Sequence, residues 1–87
     1  MTHVLVNHKV ADFTKWKPVY DAHSGARQAA GLTEEHLLRG VDDANQVVLL
    51  FAANDLKKAQ AFVASSDLRE TMQRAGVIGK PDIHFLN

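Results

Sequence analysis

The sequence predicts an α+β domain that runs β-α-β-β-α-β, with a four-stranded antiparallel sheet and the helices on one of its faces. Three observations support this prediction. Runs of β-branched or apolar residues open the chain, occupy its middle and close it. Segments with helical periodicity and capping residues follow the first run and precede the last one. Glycine, proline, asparagine and aspartate cluster between these segments, where turns are expected.

The first predicted strand is His3–Lys9 (HVLVNHK), which is rich in β-branched residues. Alternation along a strand places Val4, Val6 and His8 on one face and Asn7 on the other. The sequence does not decide which of these two faces meets the helices.

The first helical segment has Asp12 or Thr14 as its N-cap and Gly31 as its stop. Pro18 has no backbone N–H to donate, so we expect the regular helix to begin near residues 15–16.

The second predicted strand is Thr33–Gly40 (TEEHLLRG), and the third is the apolar run Gln46–Ala53 (QVVLLFAA). Asp42–Asn45 supplies the turn between them, because its carboxylates and amide can bond nearby backbone groups.

The second helical region is predicted in two pieces. Asn54 caps a helix that runs to about Ala64, and a further helix begins at Ser65–Asp67 and ends at Gly76. Asp67 and Glu70 have the spacing of a capping box in this last helix.

Gly79–Pro81 turns the chain into a last strand, Asp82–Leu86 (DIHFL). The complete order is the split βαβ, or ferredoxin-like, pattern, and residues 1–87 are predicted to form a single domain.

Both faces of the predicted sheet are apolar near its centre. A sheet with helices on one face should alternate apolar and polar residues, but Val47–Phe51 is apolar throughout, and Leu5 lies opposite Val4 and Val6. The chain has no further element to cover the second face. We therefore expect a homodimer, with one sheet packed against the other.

Composition excludes several classes of function. The 87 residues carry no net charge and no cysteine, so disulfides, thiolate chemistry and cysteine-based zinc sites are excluded. Nucleic-acid binding is not expected, because the basic residues are scattered and form no patch. No membrane-spanning run or signal peptide is predicted, and a cytoplasmic location is expected.

Three segments resemble those of a known superfamily: HKVADFTKWKPVYDAH (8–23), LLRGVDDANQVVLLF (37–51) and SSDLRETMQRAGVIGKPDIHFL (65–86). The chain resembles the dimeric α/β-barrel proteins and, more narrowly, small bacterial proteins described as antibiotic-biosynthesis-monooxygenase-like or cyclase-like. The resemblance implies that two ferredoxin-like protomers join their sheets in a barrel. The superfamily includes cofactor-independent monooxygenases, lactone isomerases, haem-degrading enzymes, dehydratases and members without known activity, so the fold does not select one reaction.

One face of the first helix carries Trp16, Tyr20, His23 and Arg27. At 100° per residue an arc of about 140° holds these four side chains together with Phe13, Val19, Ala26 and Ala30. One explanation is that Arg27 reaches solvent or pairs with Glu34 or Glu35 (a structural role). The other is that the four side chains line a cavity between helix and sheet and bind an anionic or phenolic ligand.

His8 points to the same cavity if its strand face meets the helices. His8 and His23, beside Tyr20, could then supply a general acid and a general base. The alternative is a structural His8, bonded to backbone or to Asp12. If the strand faces the other way, Asn7 replaces His8 in the cavity.

No metal or organic cofactor is predicted. Four of the five histidines fall on predicted strands, with His3 and His8 on the first, His36 on the second and His84 on the last, and no metal-binding motif is present. The sequence also lacks a glycine-rich phosphate loop and a dinucleotide fingerprint.

The leading hypothesis is a cofactor-independent monooxygenase or cyclase/isomerase acting on an aromatic or polyketide-like compound. The predicted catalytic residues are His23, His8 and Tyr20, and Trp16, Arg27 and Asn7 are predicted to bind the substrate. The competing hypothesis is a non-catalytic, ligand-binding or stress-associated dimer whose histidines are structural.

Overall fold

A computed structural model describes residues 2–87, which form a four-stranded sheet and four helices. The sheet order is β2-β3-β1-β4, and each neighbouring pair is antiparallel. This confirms the predicted ferredoxin-like α+β fold with a divided second helical region. The elements are β1 (Thr2–Val10), α1 (Phe13–Ala22), α2 (Ser24–Ala29), β2 (Leu32–Arg39), β3 (Gln46–Ala53), α3 (Leu56–Val63), α4 (Ser66–Ala75) and β4 (Val77–Leu86).

The core lies between the helices and one face of the sheet, here called the inner face. Every second residue of β3 is buried there, and Val4, His8 and Val10 of β1 are buried on the same side. His8 pairs with Val47 across the two strands. The sequence left open which face of β1 meets the helices. In the structure it is the face with His8, and Asn7 lies on the opposite face.

The opposite side of the sheet, the outer face, carries apolar residues that no helix of residues 2–87 covers. Leu5 and Leu50 are register partners at its centre, and both are only partly buried. Toward the edges, Leu38 and Ile78 each expose 57% of their surface. The further apolar members are Val48, Ala52 and Leu86.

Helix α1 begins two residues earlier than predicted. Asp12 is the N-cap, and its side chain accepts the Thr14 N–H at 2.9 Å. Pro18 lies inside the helix and does not delay its start. Because Pro18 has no N–H, the carbonyl of Thr14 lacks an intrahelical hydrogen bond. Thr14 is exposed, so water can donate to this carbonyl instead.

The first helical segment stops before Gly31 as predicted, but it breaks at His23 into two helices. The Tyr20 carbonyl accepts both the His23 N–H at 3.2 Å and the Arg27 Nη1 at 2.7 Å. A short second helix, α2, then leads to Gly31, which takes a left-handed φ of 77°. A Cβ at Gly31 would lie 2.0 Å from the Asn54 side-chain oxygen, so only glycine fits there.

The cap of α3 differs from the predicted one by one residue, whereas α4 begins within the predicted start Ser65–Asp67. Asp55, not Asn54, caps α3 through the Lys58 N–H at 3.2 Å. Ser65 caps α4 through the Leu68 N–H at 3.2 Å, so Asp67 is a first-turn residue and not the cap of a capping box. Adjacent polar residues compete for a cap, and local spacing alone does not decide between them.

Strand β4 is longer than predicted because Gly79–Pro81 interrupts it without ending it. Asn7 pairs with Asp82, whereas Lys9 pairs with Ile78, so three residues of β4 bulge opposite His8. Strand β2 begins at Leu32, one residue earlier than predicted, and contains an irregularity between Glu34 and His36. The strand β3 has the predicted bounds.

Candidate functional site

A cavity of about 70 Å³ lies between α1 and the inner face of the sheet. Five of the six predicted site residues line it: His8, Trp16, Tyr20, His23 and Arg27. The rest of the lining is almost entirely apolar and comes from β1, β2, β3, β4, α3 and α4. These further residues are Val4, Val6, Leu32, Leu49, Phe51, Phe62, Val63, Leu68, Thr71, Met72, Ala75 and Ile83.

His8 is the buried histidine of this cavity, with 6% of its surface exposed. Its Nδ1 lies 2.9 Å from the Val47 carbonyl oxygen, which can only accept, so Nδ1 carries the proton. Burial lowers the pKa of His8, and the hydrogen bond to Val47 offsets this only in part. The neutral ring therefore keeps a lone pair on Nε2, and the hydrogen bond of this side chain to residues 2–87 is the one made by Nδ1.

An aromatic row runs along α1 and includes two cavity residues. Trp16 stacks on Tyr20 with ring centroids 4.7 Å apart, and Phe13 lies 5.6 Å from Trp16. Arginine guanidinium groups cover both ends: Arg27 lies 3.7 Å from the Tyr20 centroid, and Arg39 lies 3.8 Å from the Phe13 centroid. The edge of His8 meets Trp16 at 5.7 Å, so this row forms one wall of the cavity.

The Tyr20 hydroxyl makes its hydrogen bond to a carboxylate and not to either of the two cavity histidines. It donates to Glu34 Oε1 at 2.6 Å. Burial, together with this bond to a carboxylate, raises the pKa of Tyr20 well above its ordinary value. Tyr20 consequently stays protonated at neutral pH, and its ring faces the cavity between Trp16 and Arg27.

His23 lies at the junction of α1 and α2 and reaches across to α4. Its Nε2 donates to Asp67 Oδ2 at 2.8 Å, and its ring stacks on Phe62 of α3 at 5.8 Å. The side chain is 14% exposed. His23 therefore closes the cavity on the side where α1 and α2 meet α3 and α4. The hydrogen bond to Asp67 fixes the orientation of the His23 ring.

Arg27 meets no carboxylate within 4 Å among residues 2–87. The two carboxylates considered from the sequence have other partners: Glu34 accepts from Tyr20, and Glu35 lies 3.0 Å from His3 Nε2 on the outer face. The Tyr20 carbonyl and the Tyr20 ring hold the guanidinium in place. The predicted ion pair of Arg27 with Glu34 or Glu35 is therefore wrong.

Asn7 is not part of the cavity. It lies on the outer face, where its side-chain oxygen accepts from Gln46 Nε2 at 3.3 Å. Its assignment as a substrate-binding residue depended on the opposite strand facing and is corrected here.

Sequence reasoning did not identify the partners that orient these groups, namely Val47, Glu34 and Asp67. They lie 39, 14 and 44 residues from His8, Tyr20 and His23 respectively. No local spacing signals such pairs. The two adjacent carboxylates of β2, Glu34 and Glu35, indicated a possible acceptor for the Tyr20 hydroxyl, because this strand lies close to the aromatic face of the helix.

No group of three or more His, Cys, Asp or Glu side chains within residues 2–87 is arranged to hold a metal ion. No helix in the same range is both long and apolar enough to cross a membrane.

Comparison with known proteins establishes the fold. No family model matches the chain, and no curated protein matches it either. Among solved structures, the chain is similar to a candidate antibiotic biosynthesis monooxygenase from Bordetella bronchiseptica, with TM-score 0.78, 13% identity, and coverage of 99% of this chain and 94% of that one. A candidate antibiotic biosynthesis monooxygenase from Nitrosomonas europaea matches with TM-score 0.66 and 17% identity over 100% of this chain and 97% of that one.

A third similar structure is a mutant of SnoaB, described as a cofactor-independent oxygenase from Streptomyces nogalater. It matches with TM-score 0.71 and 18% identity over 99% of this chain and 90% of that chain. The resemblance drawn from the sequence is thus confirmed at the level of the fold. Identities this low leave the reaction to be argued from the site.

Proposed function

We propose that the protein is a small-molecule enzyme of the dimeric α/β-barrel type, a cofactor-independent monooxygenase or a cyclase/isomerase, acting on an aromatic or polyketide-like compound. One observation carries this proposal. His8 is a neutral, buried imidazole whose protonated Nδ1 is committed to the backbone, and its unpaired Nε2 belongs to a side chain that lines an apolar cavity. Such a group is suited to accept a proton from a weakly acidic carbon or phenol.

The residues around His8 can stabilise the negative charge that forms on a substrate when His8 removes its proton. A carbanion or enolate formed at His8 would be desolvated in the apolar cavity, and the Arg27 guanidinium supplies the positive charge that stabilises it. The Nε2–H of His23 is held by Asp67, which suits His23 to orient the bound molecule or to return a proton. Trp16 and Tyr20 belong to the cavity lining and offer apolar ring edges that an unsaturated substrate can contact.

Two reactions follow from the same carbanion. In the oxygenase version, a CH₂ carbon loses its proton to His8 and reacts with O₂; one oxygen atom becomes the new carbonyl and the other leaves as water. In the cyclase version, the carbanion attacks an internal carbonyl, a carbon–carbon bond forms, and the alkoxide recovers the proton. The similarity in fold to a protein described as a cofactor-independent oxygenase favours the first version.

The cavity size favours the second candidate, a non-catalytic binder. A volume of about 70 Å³ is well below the ~300 Å³ and more that is typical of ligand pockets. An aromatic substrate would therefore place only part of itself inside, or would displace side chains of the helical layer. In a pure binder, His8 would be a structural histidine and its substitution would not affect chemistry.

Solvent-exchange and oxygen-uptake measurements separate these candidates. Wild-type protein should accelerate exchange of the acidic protons of a β-diketone or an anthrone-type phenol for deuterium, with or without oxygen uptake. The His8→Gln variant should lose about 10²-fold or more of this acceleration. His36→Gln, at an exposed histidine on β2, is the matched control and should retain it. Equal rates in the two variants would contradict catalysis by His8.

The proposal includes a homodimer of single-domain protomers in the cytoplasm. The support is the outer face, on which Leu5, Val48 and Leu50 form an apolar centre with no cover from residues 2–87. A second copy presents an identical apolar sheet face, and packing two such faces about a two-fold axis would bury both.

A further inference from the structure

The cavity combines one uncompensated positive charge with an apolar interior. The side chains that line it include no Asp, Glu or Lys, and Arg27 is the single arginine among them. His23, the other polar group at the edge, is already paired with Asp67. A partly buried guanidinium without a carboxylate favours binding of an anion from solution, because removing its charge from water is unfavourable unless it is paired.

The guanidinium of Arg27 is preorganised for such a ligand. Trp16 and Arg27 both contact the Tyr20 ring, at 4.7 and 3.7 Å, and since they cannot occupy one face they enclose it from both sides. Nη1 also donates to the Tyr20 carbonyl at 2.7 Å. One of the five N–H donors of Arg27 is thereby used, and the remaining donors are free of protein carboxylates, which is the arrangement that carboxylate recognition requires.

The interior next to this charge limits the rest of the ligand. A cavity of about 70 Å³ is well below the ~300 Å³ of typical ligand pockets, so we expect it to admit only a short apolar group. The cavity lining includes Leu32, Phe51 and Phe62, which offer no hydrogen-bond donor or acceptor from their side chains. A longer chain or an aromatic ring would exceed this space.

We infer that the site binds a short-chain organic carboxylate, with the carboxylate on Arg27 and an apolar group of two to three carbons in the cavity beside Tyr20. This inference rests on the site of the proposed function and names the group that the cavity accepts without displacement of side chains. An aromatic or polyketide-like substrate would present a short carboxylate-bearing arm to it. It excludes phosphate monoesters, which carry more charge than one arginine neutralises, and free alkanes, which leave Arg27 unpaired.

Trp16, the single tryptophan of the chain, lines the cavity and provides the readout. Its fluorescence is followed while acetate, propionate, butyrate, hexanoate and the neutral analogue butyramide are titrated at constant ionic strength. Affinity should rise about fourfold per added methylene from acetate to butyrate and then level off or fall at hexanoate. Butyramide should bind at least tenfold more weakly than butyrate.

The matched variants are Arg27→Gln and Arg39→Gln. Both arginines stack on an α1 aromatic ring at nearly the same distance and bond one backbone carbonyl, but Arg39 does not line the cavity. Arg27→Gln should weaken butyrate binding by about tenfold to a hundredfold, and Arg39→Gln should leave it unchanged. Ala75→Leu, which fills the cavity, should abolish the gain from acetate to butyrate.

Specific outcomes overturn the inference. Equal affinity for butyrate and butyramide, equal effects of the two arginine variants, or no dependence on chain length would each contradict it. The His8→Gln variant separates this inference from the proposed chemistry, since it should lose catalysed exchange but retain butyrate binding. Exchange activity that persists in a protein that does not bind carboxylates would refute the ligand class alone.

Discussion

His8 and His84 show how far position determines the properties of one residue type. His84 is exposed on the outer face, whereas His8 is buried against Trp16 with its Nδ1 proton committed to Val47. Burial keeps the His8 ring neutral, so Nε2 has a lone pair that can accept a proton, and a residue with a structural hydrogen bond is also a candidate base. The structural role and the catalytic role of His8, which the sequence presents as alternatives, are therefore compatible.

The lowered pKa of His8 predicts a pH dependence of stability. Between that lowered value and about 6.5, the unfolded chain binds a proton that the folded protein does not, so the free energy of unfolding decreases as pH falls through this window. For a single site the slope is at most about 1.4 kcal/mol per pH unit. Denaturant titrations at pH 8, 6.5 and 5.5 should show the decrease in wild type and a smaller one in His8→Gln. Identical slopes would contradict this assignment.

The hydrogen bond from Tyr20 to Glu34 predicts a modest stability effect. Tyr20→Phe retains the stack with Trp16 and Arg27 but removes the donor at 2.6 Å, and the exposed Glu34 carboxylate can turn to water. We expect a loss of about 0.5–1.5 kcal/mol in the free energy of unfolding. Tyr20→Ala, which also removes the stack, should lose about 3–5 kcal/mol and serves as the comparison in the same denaturant assay.

At the scale of the element, regular segments were predictable and their junctions were not. The bounds of β3 follow from its apolar run, and Gly76 ends α4 as predicted, with a left-handed φ of 82°. The break at His23 depends on a side chain of the next helix bonding the Tyr20 carbonyl. The facing of β1 depends on which side the helices pack, because alternation is symmetric until a partner layer exists.

We expect alanine substitution to change stability in opposite directions at two glycines, one at the end of α4 and one inside α2. At Gly76 the added Cβ would lie 3.7 Å from the Ala11 Cβ, an ordinary contact, so the expected loss of about 1 kcal/mol or more arises from the left-handed φ alone. Gly25 lies inside α2 with open space around it, and Gly25→Ala should stabilise by about 0.4–1 kcal/mol. Thermal denaturation of both variants tests the signs, and a stabilised Gly76→Ala would be inconsistent with this conformation.

At the scale of the whole molecule, one sheet separates two different surfaces. The inner face is filled by helices, and the outer face is apolar at its centre and carries His3, His36 and His84 around it. The dimer expected from the sequence would cover this outer face. The candidate site, by contrast, lies on the inner side and is assembled within one protomer.

The proposed dimer predicts that Leu50→Glu yields a monomer. A buried charge at the centre of the interface would be costly unless it is paired, whereas on a free surface it would be tolerated. Leu56→Glu is the control, because Leu56 is a 42% exposed leucine on the helical side. Light scattering at micromolar concentration should give a dimer for wild type and for Leu56→Glu. A monomeric wild type would refute the role assigned to the outer face.

The row of stacked side chains on α1 determines which wall of the cavity can move. Arg39 and Arg27 hold the two ends of this row from β2 and α2, so α1 cannot slide or tilt without losing contacts at both ends. The opposite wall, formed by α3 and α4, meets His23 through the hydrogen bond to Asp67, whose side chain is largely exposed, and through the stack on Phe62. A guest larger than the cavity would therefore enter by swinging α3 and α4 outward, with rupture of the His23–Asp67 bond as the first step.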